Sequence, residues 1–318
     1  MKASIDKFLR SALRECLAVK AGETVLVVTD DESAGLGEAF YRCARRCAGE
    51  SLLAVMAPRS HNGQEPPPAI AAMMRGADIV LLVTARSLSH TEARRRASRA
   101  GARIASLPGA TADMLRRTLA VDHRRLETLC GRVIPRLSGA RSVRVTTALG
   151  TDLAFSLRGR TARPDHGIIH QGGGFTNLPA GEVYVAPLEG TAAGRLVIDG
   201  SVAGIGAVRR PLAVAIAEGR AVGVGKGTAA RRLWQAMSRH GRPGCTVAEF
   251  GIGLNPRARV TGVVLEDEKA LGTIHIAFGD NSGFGGRINV ASHLDAVITS
   301  PTVTVDGRML IDRGRLLV

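Results

Sequence analysis

Over the first 140 residues the apolar positions gather into short unbroken runs separated by stretches of helical pattern. The runs are Thr24–Thr29 (TVLVVT), Ser51–Met56 (SLLAVM), Asp78–Val83 (DIVLLV) and Arg103–Leu107 (RIASL). Each has the length of a strand, and continuous apolar character marks strands covered on both faces. Between them the pattern predicts helices over about Ser33–Ala48, after Pro66-Pro67-Pro68, and around Thr91–Ala100. Repeated strand–helix units imply an α/β domain with a doubly wound, mostly parallel sheet. The first strand–helix turn, Asp30-Asp31-Glu32-Ser33, lacks the glycine-rich cradle that admits a pyrophosphate, so no dinucleotide is expected there.

From about Ser142 the texture changes. Short strand-like runs (Val143–Thr147, Leu153–Leu157, Leu196–Asp199) alternate with glycine-rich turns, interrupted by one strong helical pattern over Thr228–Arg239. This predicts a β-rich α+β domain. The boundary falls near Leu137–Ala140, giving an N-terminal domain over 1–140 and a C-terminal one over 141–318. Gly223-Val224-Gly225-Lys226-Gly227-Thr228 has the flavour of a phosphate loop. It fails that pattern because glycine, not Ser or Thr, follows the lysine, and it reads better as a turn before a helix.

Composition adjusts this picture in three ways. Hydrophobic residues make up 45% but aromatics only 3%, so the core must be built from Ala, Val, Leu and Ile. The formal charge of +15 invites a nucleic-acid reading. Yet apart from Lys2, Lys7, Lys20, Lys226 and Lys269 the basic residues are arginines spread along the whole chain. No aromatic residues interleave them for base stacking, and Arg94-Arg95-Arg96 with Arg99 reads as a solvated helix face. Nucleic acid is therefore not the expected partner. The five scattered cysteines suggest no disulfide framework, and Cys43 and Cys47, one helical turn apart, read as small apolar residues on a buried face. Met1–Asp6 lacks the apolar core of a signal peptide and no run suits a membrane span, so a cytoplasmic protein with no membrane partner is expected.

Four segments of the second half concentrate ionisable groups within apolar sequence: Asn177–Val183, Ala248–Pro256, Gly272–Gly279 and Ser292–Asp295. His293 and Asp295 stand two apart, so on an extended backbone both face the same side. His275 lies within an apolar strand-like run, where an ionisable group demands a partner. Glu182 and Glu249 lie beside apolar residues and turns. Two imidazoles and three carboxylates form a ligand set suited to Zn, Mn, Co or Fe, and would suffice for two ions. The spacing leaves other readings open: an HxD pair is common, a lone strand histidine is more often a satisfied core residue, and an ordinary exposed strand carboxylate is an alternative for Glu182.

These segments resemble the thermophilic-type metallo-aminopeptidases, known as aminopeptidase T and aminopeptidase S. The resemblance covers most of Asn177–Gly307: N-[LM]-P-x-x-E-V at Asn177–Val183, Ala248-Glu249, H-[LI]-A-x-G at His275–Gly279, H-x-D at His293–Asp295 and the closing Val305-Asp306-Gly307. It implies an α/β N-terminal domain, a C-terminal metal domain, a homodimer and a peptide or small-amide substrate. It also implies two divalent ions (Zn, Co or Mn) on Glu182, Glu249, His275, His293 and Asp295. That family places a catalytic tyrosine shortly after the third ligand, where Asp280–Phe284 has none; Tyr184 is the candidate substitute. Glu268 is the first candidate general base among Glu266, Asp267 and Glu268, of which at least two read as a solvated acidic turn. Lys269 reads as a surface lysine or an oxyanion stabiliser, and Asn255 and Asn281 as turn residues or donors to substrate.

More distantly, the chain resembles iron-dependent ring-cleaving dioxygenases acting on dihydroxylated pyridines. Their motif resembles H-x-G-x-G-x-x-P where this chain has Glu249–Pro256, and it also ends in HxD. That resemblance implies a single iron on His, His and Asp. Here Glu249 stands at the first of those positions, while Glu182 and His275 match the peptidase set. The expectation is accordingly a metallohydrolase, with a mononuclear iron dioxygenase or a non-catalytic relative as alternatives.

Overall fold

The structure, a computed structural model, describes residues 5–318. Met1–Ser4, most of the stretch read above for a signal sequence, lie outside the described residues. By internal contacts the chain divides into two units, Met1–Arg125 with Asp165–Ala180, and Leu126–Pro164 with Gly181–Val318. The chain thus passes between units three times, where the sequence suggested one break near Leu137–Ala140.

The first unit holds a parallel five-stranded sheet in the order Glu50–Met56, Thr24–Asp30, Ile79–Val83, Arg103–Ser106, Phe175–Asn177. Side chains alternate across a strand, and the sequence fills both faces. Val25, Val27, Ile79 and Leu81 enter one apolar cluster with Leu9, Leu13 and Phe40. Leu26, Val28, Val80 and Leu82 enter the other with Ile70 and Met74. Helices Ala34–Ala44, Pro68–Gly76 and Glu92–Arg99 follow the first three strands in sequence. The buried Asp30 carboxylate at the end of the first strand accepts from Ser33 N at 3.0 Å and Ala85 N at 2.7 Å, which fixes the adjoining turn. The arginine run is only partly a solvated face. Arg96 and Arg99 pair with Glu92, but Arg94 donates to the Ser89 carbonyl at 2.7 Å and lies 4.5 Å over the Phe175 ring.

The second unit is β-rich. An eight-stranded antiparallel sheet runs from Arg220–Val224 through Leu212–Ala217, Ala193–Ile198, Asp152–Phe155, Val143–Thr146, Thr302–Val305 and Arg308–Asp312 to Arg315–Leu316. The third to sixth strands of a seven-stranded sheet are His293–Ile298, Ile274–Gly279, Val247–Gly253 and Glu182–Val185, each antiparallel to the next. Phe155 of the first sheet meets Phe250 of the second at 5.2 Å between ring centroids. Gly227 adopts a φ of +113° immediately before helix Thr228–Ser238, a left-handed turn that glycine permits. Among the described residues no helix is long and apolar enough to cross a membrane.

Candidate metal centre

Strand register assembles the site. Gly253 lies opposite Glu182, Gly251 opposite both Tyr184 and His275, Glu249 and Asp295 both opposite Ala277, and Gly279 opposite His293. Paired residues share a face of the sheet, as do residues two apart. Glu182, Tyr184, Glu249, His275, His293 and Asp295 therefore all belong to one face. That face is cleared for them by Gly251, Gly253 and Ala277. A Cβ on Gly251 would sit 2.0 Å from His275 Cε1 and 2.1 Å from its Nε2, so the imidazole can lie across this strand only because the residue is glycine.

The groups meet directly. His275 Nε2 is 3.2 Å from Glu249 Oε1 and 3.4 Å from Glu182 Oε2. His293 Nε2 is 3.2 Å from both Glu249 Oε2 and Asp295 Oδ1. Its other nitrogen, Nδ1, lies 2.7 Å from the Asp280 backbone carbonyl. A proton on Nδ1 donates to that carbonyl and leaves the Nε2 lone pair aimed into the cluster, the usual arrangement behind a metal-bound imidazole. Lys269 Nζ pairs with Glu182 and lies 2.9 Å from Glu268 Oε1. Three overlapping triangles of donor atoms result, each within 4.8 Å: Glu182–Glu249–His275, Glu249–His293–Asp295 and Glu268–His275–Asp295.

Several sequence-based expectations need correction. Glu182 is only 4% exposed, so it is not a surface strand carboxylate. Lys269 is 1% exposed and belongs to the cluster, not the surface. Nor is Glu266-Asp267-Glu268 a solvated turn, because all three residues are buried. Glu266 accepts from Arg259 N, and Asp267 accepts from Thr261 N and Gly262 N, so both hold the preceding loop. Asn255 and Asn281 make the loop contacts that one of their two sequence readings expected: Asn255 accepts from Arg257 N, while Asn281 donates to Glu189 and accepts from Ile288 N. Tyr184 lies on the same face of the sheet as the donor groups. Its ring stands 5.5 Å from that of Phe284, which in turn lies 6.0 Å from the His293 ring. Gly251 and Phe284 were missed in the sequence. The glycine alternation of Glu249-Phe250-Gly251-Ile252-Gly253 was the available signal for the first.

Electrostatics show what the cluster demands. Burial opposes charge on His275, yet its bond to Glu249 and the charges of Glu182, Glu249 and Glu268 raise its pKa to about 9. His293 is raised well above the usual histidine value, as Asp295 and Glu249 outweigh burial. Glu249 and Asp295 are held below the ordinary carboxylate range: burial is overcome by His275 and His293 at Glu249, and mainly by His293 at Asp295. Burial pushes Glu268 up, helped by Asp295 and opposed by Lys269. Three buried carboxylates and the partly buried Asp295 thus face one lysine and draw protons onto both imidazoles. A divalent cation satisfies the same demand. His275 Nδ1 is moreover buried with no hydrogen-bond partner. With no thiolate, the donor set fits an ion such as iron(II), manganese, cobalt or zinc.

The family model of 2,5-dihydroxypyridine 5,6-dioxygenase matches residues 4–318. The chain belongs to the 2,5-dihydroxypyridine 5,6-dioxygenase family. A curated member from Pseudomonas putida KT2440, described as 2,5-dihydroxypyridine 5,6-dioxygenase, is 24% identical over 252 residues, covering 74% of this chain and 70% of that protein. The solved 2,5-dihydroxypyridine dioxygenase of P. putida KT2440 superposes with a TM-score of 0.84 at 20% identity, over 100% of this chain and 98% of that one. Wild-type AmpT from Thermus thermophilus superposes at 0.70 with 18% identity, over 99% of each chain. Membership in the dioxygenase family overturns the aminopeptidase and metallohydrolase expectation, and with it the peptide or small-amide substrate. The homodimer inferred from that resemblance loses its basis. The likeness to AmpT is one of fold. What misled the sequence reading is that carboxylates and imidazoles serve hydrolytic and oxidative metals equally well.

Proposed function

We propose that this chain is an iron-dependent dioxygenase that opens the ring of a dihydroxylated pyridine. The observation that carries the reading is the Glu249–His293–Asp295 triangle, with Glu249 buried and the other two partly buried, whose donor atoms lie within 4.8 Å of one another, in a chain of this family. These three residues would hold a single iron(II). Glu249 gives the set one imidazole and two carboxylates, where the family resemblance implies two imidazoles and one carboxylate. A bound iron(II) supplies the one-electron chemistry by which dioxygen reacts with a closed-shell ring. Both oxygen atoms enter the product, so the reaction balances without an external reductant.

The remaining residues orient groups and hold protons. His293 is fixed through Nδ1 on the Asp280 carbonyl, which sets the direction of Nε2. Burial pushes the Glu268 carboxyl up, while the Lys269 ammonium 2.9 Å away opposes that shift. Standing beside His275 and Asp295, Glu268 would exchange a proton with a substrate hydroxyl as the ring opens. Tyr184 and Phe284 give a flat ring an aromatic flank next to His293.

The test is to strip the protein with chelator, reload it with iron(II) under nitrogen, and follow 2,5-dihydroxypyridine absorbance when air is admitted. Decay should require both iron and air and vanish in Glu249→Ala. Decay in stripped, iron-free protein would refute the reading.

A further inference from the structure

The face that carries the proposed iron site has donors to spare. Six ionisable groups (Glu182, Glu249, Glu268, His275, His293 and Asp295) supply three overlapping triangles, and any of them could on donor type alone take a divalent ion. Lys269 separates them. Its ammonium pairs with Glu182 and stands 2.9 Å from Glu268 Oε1. Two triangles contain one of those carboxylates; Glu249–His293–Asp295 contains neither.

The lysine is not placed there by chance of a flexible side chain. Its backbone is held from both sides: Lys269 N donates to the Glu266 carbonyl at 3.0 Å and Asn255 N donates to the Lys269 carbonyl at 2.8 Å. The short helix Val264–Asp267 that precedes it is tied to the loop before it by Glu266 and Asp267. A side chain 1% exposed on such a pinned turn cannot withdraw into solvent. A cation entering at Glu182 or Glu268 would have to displace the ammonium or accept it as a like charge at close range in a water-poor site.

We propose that Lys269 is a built-in substitute for a second metal ion, neutralising Glu182 and Glu268 and restricting the centre to one cation at Glu249–His293–Asp295. Lys269 is thus a positioning residue that sets nuclearity. This rests on the metal centre proposed above, but not on its substrate. A single ion suits one-electron oxygen chemistry, whereas a pair suits activation of a bridging water. A single lysine thereby separates two chemistries that the same carboxylates and imidazoles could support.

The experiment reads metal stoichiometry, not turnover. Chelator-stripped wild type, Lys269→Gln and Lys269→Arg are titrated with manganese(II), counted by mass spectrometry of the metal after desalting, and inspected by electron paramagnetic resonance. Wild type and Lys269→Arg should take one ion per chain, with the signal of an isolated manganese. Lys269→Gln should take two and show the broadened, coupled signal of a pair. Its circular dichroism checks the fold, and refolding in manganese(II) supplies the missing positive charge should the stripped variant unfold. Two ions in wild type, two in Lys269→Arg, or one in folded Lys269→Gln would each overturn the proposal. The wild-type and arginine titrations keep it open to refutation whatever the glutamine variant does. Single-ion binding with no oxygen-dependent turnover would leave this inference standing and remove the dioxygenase reading instead.

Discussion

A central strand of the parallel sheet in the first unit and a ligand-bearing strand in the second are equally buried yet built for opposite purposes. Every residue of Ile79–Val83 is buried, and so is every residue of Val247–Gly253. In the first, alternate side chains feed two apolar clusters, so both faces add transfer free energy and either can lose a residue without consequence for chemistry. In the second, Phe250 packs inward on Phe155 while the opposite face carries Glu249 between small residues. Its ionisable groups tolerate burial because each compensates another. Burial alone therefore does not distinguish scaffold from site. The difference lies in whether the buried face is filled or cleared.

The cleared face is most sensitive at Gly251. Gly251→Ala places a methyl 2.0 Å from the His275 ring, so the imidazole must leave the cluster. Metal affinity should drop by ~10²-fold, in the range found when groups supporting a ligand are removed, together with a stability loss of about 1–3 kcal/mol from overpacking. Metal retention on desalting and a urea titration check both. Leu81→Ala in the parallel sheet should cost about 2–5 kcal/mol by cavity formation while leaving metal per folded chain unchanged. Loss of metal there would show that the two regions are not independent.

Acidity sharpens the contrast. In metal-free protein Asp295 and Glu249 hold His293 protonated well above the usual histidine range, so at neutral pH an ion binding its Nε2 must displace that proton. Affinity for cobalt(II) should therefore rise as pH increases through and above neutrality, about tenfold per unit for each proton displaced. Calorimetry in buffers of different ionisation enthalpy should detect the released protons; affinity independent of pH would contradict the raised value. The smallest effect belongs to the scaffold. Thr91 caps helix Glu92–Arg99 by accepting from Arg94 N, and Thr91→Ala should cost ~1 kcal/mol with metal binding untouched.

Both regions were legible in the sequence to different depths. The parallel sheet could be read because its strands are continuous apolar runs with helices between them. Its fifth strand, Phe175–Asn177, could not: three residues far along the chain carry no periodicity of their own. The ligand types and their order were visible in Glu182, Glu249, His275 and His293-x-Asp295. The burial of Lys269 and of Glu266-Asp267-Glu268 was not, since a run of charges looks solvated until the register shows what it faces. The enzyme class was misread for a chemical reason. Donor identity limits which metals fit, but electron transfer to oxygen depends on which ion is loaded and what substrate shares the site.

The most direct test of the account is turnover of 2,5-dihydroxypyridine by the iron-loaded protein under ¹⁸O-labelled dioxygen, with His293→Ala alongside. An iron-dependent dioxygenase gives a ring-opened product carrying both labelled atoms, formed by wild type and not by the variant. A product without label, or equal turnover under nitrogen, would contradict that reading.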